Sequence, residues 1–210
     1  MSAENTMDQV HQLEHHYDPE GSKTGMWLFL FTELLLFGGL FLIYAVYRSM
    51  DAEAFHHAAG ELNKALGSIN TVVLLTSSLT MVLSINALRR GTIGRCLALL
   101  GSTLALSCVF LVIKFFEWRA KYHHEIFPGM EHLHSLPNGE AVFFNLYFMM
   151  TGLHGIHVVI GMIVMLVMAA KIRAGKITSA RPDALEYTGL YWHLVDLIWV
   201  FLLPLFYLTN

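Results

Sequence analysis

Between Met26 and Leu208 the chain reads as five long apolar runs separated by short charged or turn-forming segments. The runs cover Met26–Tyr47, Ile69–Leu88, Cys96–Phe116, Ala141–Ala170 and Leu185–Leu208. A helix of about 20 apolar residues crosses the roughly 30 Å hydrocarbon core of a bilayer, so each run is long enough to span. The pattern predicts an all-α integral membrane protein, a bundle of five transmembrane helices. The first four runs stop at recognisable punctuation: Arg48, Arg89-Arg90-Gly91, Arg119, and Lys171 with Gly175. The fourth run is longer than a span requires and is expected to tilt or to project from the membrane. Residues 1–25 are polar, acidic and histidine-bearing, without the basic and short apolar regions of a cleaved signal peptide. The expected organisation is a polar tail over residues 1–25 and one five-helix domain over residues 26–210.

Hydrocarbon makes the polar residues inside these runs the informative ones. An ionisable side chain at the centre of a spanning helix costs about 2.5–3.5 kcal/mol on insertion scales. Such groups face protein or a wet cavity and find partners there. Glu33 lies in the first run, Lys114 and Glu117 at the outer end of the third, His154 and His157 in the fourth, and His193 and Asp196 in the fifth. Each of the last two pairs is spaced i, i+3, on one side of its helix. With alternating crossings, Glu33, His157, His193 and Asp196 fall at similar depth. The expectation is one buried polar structural cluster of Glu33, His154, His157, His193 and Asp196, with Lys114–Glu117 as a separate outer-end pair. Asn70, Ser77, Thr80 and Ser84 form a polar stripe on the second run that suits helix–helix contact, and Gly38, Gly39, Gly152, Gly155 and Gly161 are expected to serve close approach.

Histidines spaced HxxH on a helix can present two nitrogens to one metal ion. Di-metal sites in bundles instead repeat a Glu-x-x-His motif on two helices, which these runs lack. A haem, copper or other metal centre built from this chain's residues alone is therefore not expected. His11, His15, His16, His56, His57, His123, His124, His132 and His134 fall in the tail and loops and are expected to be solvated.

Composition agrees with the pattern. The chain of 210 residues is 55% hydrophobic and 14% charged, with mean hydropathy +0.53; soluble domains carry about 25% charged residues. A net charge of −3 gives no reason to expect nucleic acid. Cys96 and Cys108 are twelve residues apart in one predicted helix, about 18 Å along its axis, beyond the roughly 7 Å that a disulfide allows. No CxxC or CxxCH occurs, so neither a redox pair nor covalent haem is indicated. Lys23, Arg89, Arg90, Arg95, Lys171, Arg173, Lys176 and Arg181 fall on the N-terminal side of the five spans, and Arg48, Lys64, Arg119 and Lys121 on the other. Eight against four places the N-terminus in the cytoplasm and the C-terminus outside.

Four blocks carry a family resemblance: "FLFTELLLFGGLF" (Phe29–Phe41), "FLVIKFFEWRAKYHHEIFPG" (Phe110–Gly129), "FFNLYFMMTGLHGIHVVIG" (Phe143–Gly161) and "LYWHLVDLIWVFLLPLFYL" (Leu190–Leu208). The chain resembles subunit III of the haem–copper oxidases, the terminal respiratory enzymes that reduce oxygen. The match extends from Gly25 to the C-terminus, in the form of the shorter five-helix bacterial members. Lys114 departs from the uncharged polar residue of many members, which makes Glu117 its expected partner. The resemblance implies an accessory, non-catalytic subunit of a proton-pumping oxidase that takes electrons from cytochrome c. It also implies a multi-pass protein of the bacterial plasma membrane. Subunits I and II would be the partners, and haem and copper would sit in the catalytic partner. Structural phospholipids would be held, and proton uptake and durability in turnover supported. A quinol oxidase subunit III or a nitric oxide reductase accessory protein is the alternative; a stand-alone membrane metalloprotein or transporter is a third reading.

The charge distribution predicts a labelling pattern. In a background without Cys96 and Cys108, a cysteine placed by Lys64→Cys or His132→Cys should react with a membrane-impermeant maleimide added to intact cells. One placed by Arg90→Cys should react only after permeabilisation. The reverse pattern would overturn the orientation.

Overall fold

The computed structural model describes residues 19–123, 126–130, 133 and 135–208. Among the described residues six helices follow in order: α1 (Pro19–Met50), α2 (Ala52–Gly60), α3 (Lys64–Arg89), α4 (Ile93–His123), α5 (Asn138–Arg173) and α6 (Asp183–Tyr207). All but α2 are long and apolar enough to cross a membrane, and each contains one of the five runs. At 1.5 Å per residue, the 36 residues of α5 extend about 54 Å, well past a 30 Å core. The first helix begins at Pro19, inside the segment expected to be a polar tail; the rest of that tail lies outside the described residues. Proline suits a first helical turn because its missing N–H would be unpaired there anyway, and Glu20 in that turn favours the helix dipole.

Local chemistry sets the ends. Asp51 accepts from the Ala54 N–H and Asn63 from the Leu66 N–H, capping α2 and α3. After α3 the Thr92 N–H reaches the Ala87 carbonyl and the Gly91 N–H the Leu88 carbonyl, each at 2.9 Å. That Schellman closure requires the left-handed conformation, φ 72°, that Gly91 supplies. Gly175, φ 71°, ends α5 in the same way, with Lys176 bonded to Lys171 and Gly175 to Ile172.

The helices are unequally buried within the chain. Half of the spanning window of α6 is buried, against 11% of that of α1. Thus α6 forms the centre and α1 the periphery. Trp192 and Trp199 of α6 are fully buried. The indole N–H of Trp192 donates to Ser77 Oγ at 3.1 Å, and that of Trp199 to Thr71 Oγ1 at 3.0 Å. Thr80 and Thr103 join α3 to α4 at 2.8 Å. The polar stripe of α3 therefore meets α6 and α4. Close approach is made at Gly67 against Tyr207, Gly161 against Trp192 and Gly189 against Ile85. The expectation for Gly38, Gly39 and Gly155 is corrected: a β-carbon at these positions would meet nothing within this chain.

The short α2 was not visible as a span and folds over one end of the bundle. Phe55, Ala58 and Ala59 are buried, and Phe55 packs edge-on to Tyr44 and Phe143. His57, expected to be a solvated loop residue, is exposed but sits on this helix, with Nδ1 3.0 Å from Glu140 Oε1 at the start of α5. His11, His15, His16, His124, His132 and His134 lie outside the described residues.

A β-carbon at Gly161 would stand 2.8 Å from the Trp192 ring. Gly161→Ala should therefore destabilise the bundle by about 1–3 kcal/mol, the usual cost of overpacking. Gly38→Ala should be neutral or slightly stabilising, because alanine is the better helix former. Resistance of the purified protein to SDS unfolding measures both; equal behaviour of the two variants would contradict the close contact.

Candidate functional site

Three groups of buried or partly buried polar side chains tie the spanning helices together. The most closed lies where the C-terminal part of α4 meets α5 and the end of α6. Lys114 Nζ donates to Glu117 Oε2 at 3.0 Å, to Tyr147 Oη at 3.1 Å and to Tyr207 Oη at 2.7 Å. An ammonium has three hydrogens, and all three are used. The hydroxyls of Tyr147 and Tyr207 each donate their single hydrogen to Glu117 Oε1, at 2.9 and 2.5 Å. Lys114 also lies 4.8 Å from the centre of the Trp199 ring, within cation–π range. The pair is buried, at 7% and 6% exposure, and the group as a whole is electrically neutral. The i, i+3 spacing made Lys114–Glu117 readable in the sequence. The two tyrosines were missed, because they arrive from other helices and carry no charge to mark them.

The second group joins the peripheral helix to the bundle. His157 Nε2 lies 2.8 Å from Glu33 Oε2, and Nδ1 lies 2.8 Å from the Leu153 carbonyl. A carbonyl oxygen only accepts, so Nδ1 carries a hydrogen. One further proton then lies between Nε2 and the carboxyl group. Whether it resides on the ring or on Glu33, the pair is neutral overall. Phe37 packs edge-on to the imidazole, and the Tyr191 hydroxyl donates to the His157 carbonyl at 3.1 Å.

The third group lies between α3 and α6. His193 Nδ1 and Ser78 Oγ are 2.6 Å apart. One turn on, Asp196 is buried at 3% exposure; it interacts loosely with Ser78, while neither carboxyl oxygen has a partner at hydrogen-bond geometry among the described residues. His154 is fully buried between the rings of Phe110, 5.6 Å away, and Trp199, 5.3 Å away. Neither of its nitrogens has a hydrogen-bond partner among the described residues.

Of the five residues expected to form one cluster, a hydrogen bond joins Glu33 to His157, His193 is bonded to Ser78, and His154 and Asp196 have no partner at hydrogen-bond geometry among the described residues. Residues spaced i, i+3 stand 60° apart around a helix. That angle lets His157 face α1 while His154 faces α4 and α6, and lets His193 face α3. Among the described residues, no three of His, Cys, Asp and Glu converge as a metal-ligand set. The Lys114–Glu117 and Glu33–His157 groups bind helices to one another through neutral, paired side chains.

The sequence profile of cytochrome c oxidase subunit III matches residues 1–210, the whole chain. This chain belongs to the cytochrome c oxidase subunit III family. The chain is similar to the cytochrome bo(3) ubiquinol oxidase subunit 3 of Pseudomonas aeruginosa, 31% identical over 95% of this chain and 91% of that one. The cytochrome c oxidase subunit 3 of Synechocystis is 30% identical over 92% and 78%. A haem-copper oxidase subunit I+III of Aeropyrum pernix is 27% identical over 94% of this chain and 24% of that longer protein. As a subunit III, the chain is a membrane component of a multisubunit oxidoreductase, with the catalytic subunits of a haem–copper oxidase as its partners.

Within this subunit III the two ion-pairing groups should respond differently to mutation. Removing one member of a buried ion pair costs about 3–5 kcal/mol, whereas apolar replacement of both is often near neutral. Lys114→Met or Glu117→Gln alone should therefore destabilise the subunit markedly, and the double change should recover most of the loss. Glu33→Gln should cost no more than about 1.7 kcal/mol, the upper end for interhelical hydrogen bonds in a membrane. A double-mutant cycle on detergent unfolding measures each value; additive losses at Lys114 and Glu117 would show that the pair is not coupled.

Proposed function

We propose that this chain is the accessory, non-catalytic subunit III of a proton-pumping haem–copper terminal oxidase supplied with electrons by cytochrome c. In this reading it packs on subunit I, with subunit II in the same complex; haem and copper belong to the catalytic partner. It holds structural phospholipids, supports proton uptake into the catalytic subunit and prolongs turnover. It crosses the bacterial plasma membrane five times, with the N-terminus in the cytoplasm. The observation that carries the non-catalytic role is how the ionisable groups in the spans are used. Lys114 and Glu117 saturate one another through Tyr147 and Tyr207, and Glu33 and His157 hold α1. These are the bonds of a scaffold. A second reading, ubiquinol as donor, is motivated by the Pseudomonas aeruginosa relative, whose name specifies ubiquinol.

The complex purified in mild detergent should carry haem-bearing partners, and its oxygen consumption with reduced cytochrome c or with ubiquinol separates the two donors. The chain purified alone should show no haem Soret band. In the intact complex, Glu33→Gln should leave the initial rate near normal while shortening the time to inactivation or releasing this subunit. Immediate and complete loss of oxygen reduction with all subunits present would instead assign this chain a direct catalytic role.

A further inference from the structure

The Lys114–Glu117 group carries a chemistry that holding helices together does not use. Two phenols, Tyr147 and Tyr207, donate to one carboxylate oxygen, Glu117 Oε1, at 2.9 and 2.5 Å. Their hydroxyl oxygens are 3.2 Å apart and their ring centres 6.3 Å apart. The Trp199 ring lies 6.4 Å from that of Tyr207. Both tyrosines are fully buried. A phenol bonded to a carboxylate is well placed to give up an electron. Removing one electron from the ring turns the hydroxyl into a strong acid, so oxidation is easiest where a base stands ready to take the proton.

Elsewhere in the bundle the aromatic donors meet weaker bases. Tyr44 and Tyr191 donate to the peptide carbonyls of Leu205 and His157. The indoles of Trp192 and Trp199 donate to the hydroxyls of Ser77 and Thr71. Carbonyls and hydroxyls accept a hydrogen bond but do not keep a proton. Charge favours the same place. A one-electron oxidation inside the span leaves one positive charge behind, and hydrocarbon does not solvate it. On Trp199 that charge would sit on an indole already facing the Lys114 ammonium, 4.8 Å from the ring centre. At Tyr207 the proton passes to Glu117 and the radical itself is neutral. The charge left over is then that of Lys114, which is bonded to both phenolic oxygens and to Glu117.

We propose that Tyr207, with Tyr147 beside it, is a redox-active tyrosine at which an oxidising equivalent in this subunit comes to rest. A high-potential one-electron oxidant, of the class of a ferryl haem, takes one electron from the Tyr207 ring and is itself reduced by one electron. The O–H bond of Tyr207 breaks and an O–H bond forms at Glu117 Oε1. The products are a neutral tyrosyl radical and a neutral glutamic acid. One electron returned by a reductant such as ascorbate, with the proton passing back from Glu117, restores the pair. This activity goes beyond the scaffold role and does not depend on which donor feeds the oxidase.

The test uses the full-length chain in mild detergent, oxidised by photogenerated tris(bipyridine)ruthenium(III). Samples are frozen for electron paramagnetic resonance after a delay in which radicals on exposed tyrosines decay. The persistent signal should be that of a neutral tyrosyl radical and should narrow when the chain carries fully deuterated tyrosine. The proton couplings that then remain in double resonance should be those of the hydrogen bonds from Glu117 and Lys114. Tyr207→Phe should move the radical to Tyr147 and change its line shape. Tyr147→Phe with Tyr207→Phe should abolish the persistent signal, whereas Tyr44→Phe should leave it as in the wild type. An undiminished signal in the double variant would overturn the proposal. So would no persistent signal in the wild type, a tryptophanyl line shape, or a tyrosyl radical without hydrogen-bond couplings. These last three outcomes need no variant and decide the matter even where the double variant fails to fold. Haem-bearing partners in the purified complex test the function proposed above separately.

Discussion

Hydrocarbon cannot solvate a charge, and this constraint shapes the interior of the bundle. A lysine, a glutamate and two tyrosines meet between α4, α5 and α6, and every hydrogen that the ammonium and the two hydroxyls can donate has an acceptor within the group. Saturation of this kind makes the burial tolerable, because an unpaired member would face lipid with no alternative partner. It also imposes geometry. Three helices must hold their rotation and depth for Tyr147 and Tyr207 to reach the same carboxylate oxygen. The tryptophans extend the constraint to α3, where Ser77 and Thr71 accept the two indole N–H groups. The centre of the bundle is thus fixed by directional bonds at one end and by close ring packing against glycine at Gly67 and Gly161.

The five spans were legible in the sequence because length and hydropathy alone define them. The Lys114–Glu117 pair was legible because both members lie on one helix, where spacing determines contact. Pairings between helices were less so. Depth suggested that Glu33 would meet a histidine, and His157 lies at hydrogen-bonding distance from it. Depth alone could not separate His157 from His154, since that choice depends on the rotation of α5 about its axis. The same limit hid Ser78 as the partner of His193, and Tyr147 and Tyr207 as partners of Lys114. The short α2 escaped for a different reason: nine residues rich in alanine and histidine carry no long apolar run. The Asp51 cap was the available signal.

His154 and Asp196 show a different answer to the same constraint. Each is buried, His154 without a hydrogen-bond partner among the described residues and Asp196 with only a loose interaction with Ser78. His154 sits against the faces and edges of Phe110 and Trp199, where an imidazole acts as a flat, weakly polar ring. In lipid the advantage of an interhelical hydrogen bond is small, averaging about 0.6 kcal/mol, so ring packing is a comparable use of a buried histidine. Two imidazoles one turn apart on α5 therefore do unlike work. One packs as an aromatic, and the other clamps a neighbouring helix.

That clamp bears most on how the subunit holds together. The first helix has little of its spanning surface buried in the chain, so packing alone grips it weakly. The Glu33–His157 bond supplies a polar attachment at one depth, with Phe37 packed edge-on to the ring and the Tyr191 hydroxyl bonded to the His157 carbonyl. Because Nδ1 already donates to the Leu153 carbonyl, a single proton is shared across the bond, and both of its positions leave the pair neutral. Movement of that proton therefore places no net charge in the membrane. The attachment is consequently insensitive to which partner holds the proton, yet it depends wholly on both partners being present. The Tyr44 hydroxyl also donates to the Leu205 carbonyl of α6, so loss of the Glu33–His157 bond loosens α1 at one depth while the α3–α6 centre, whose own bonds do not pass through α1, stays folded.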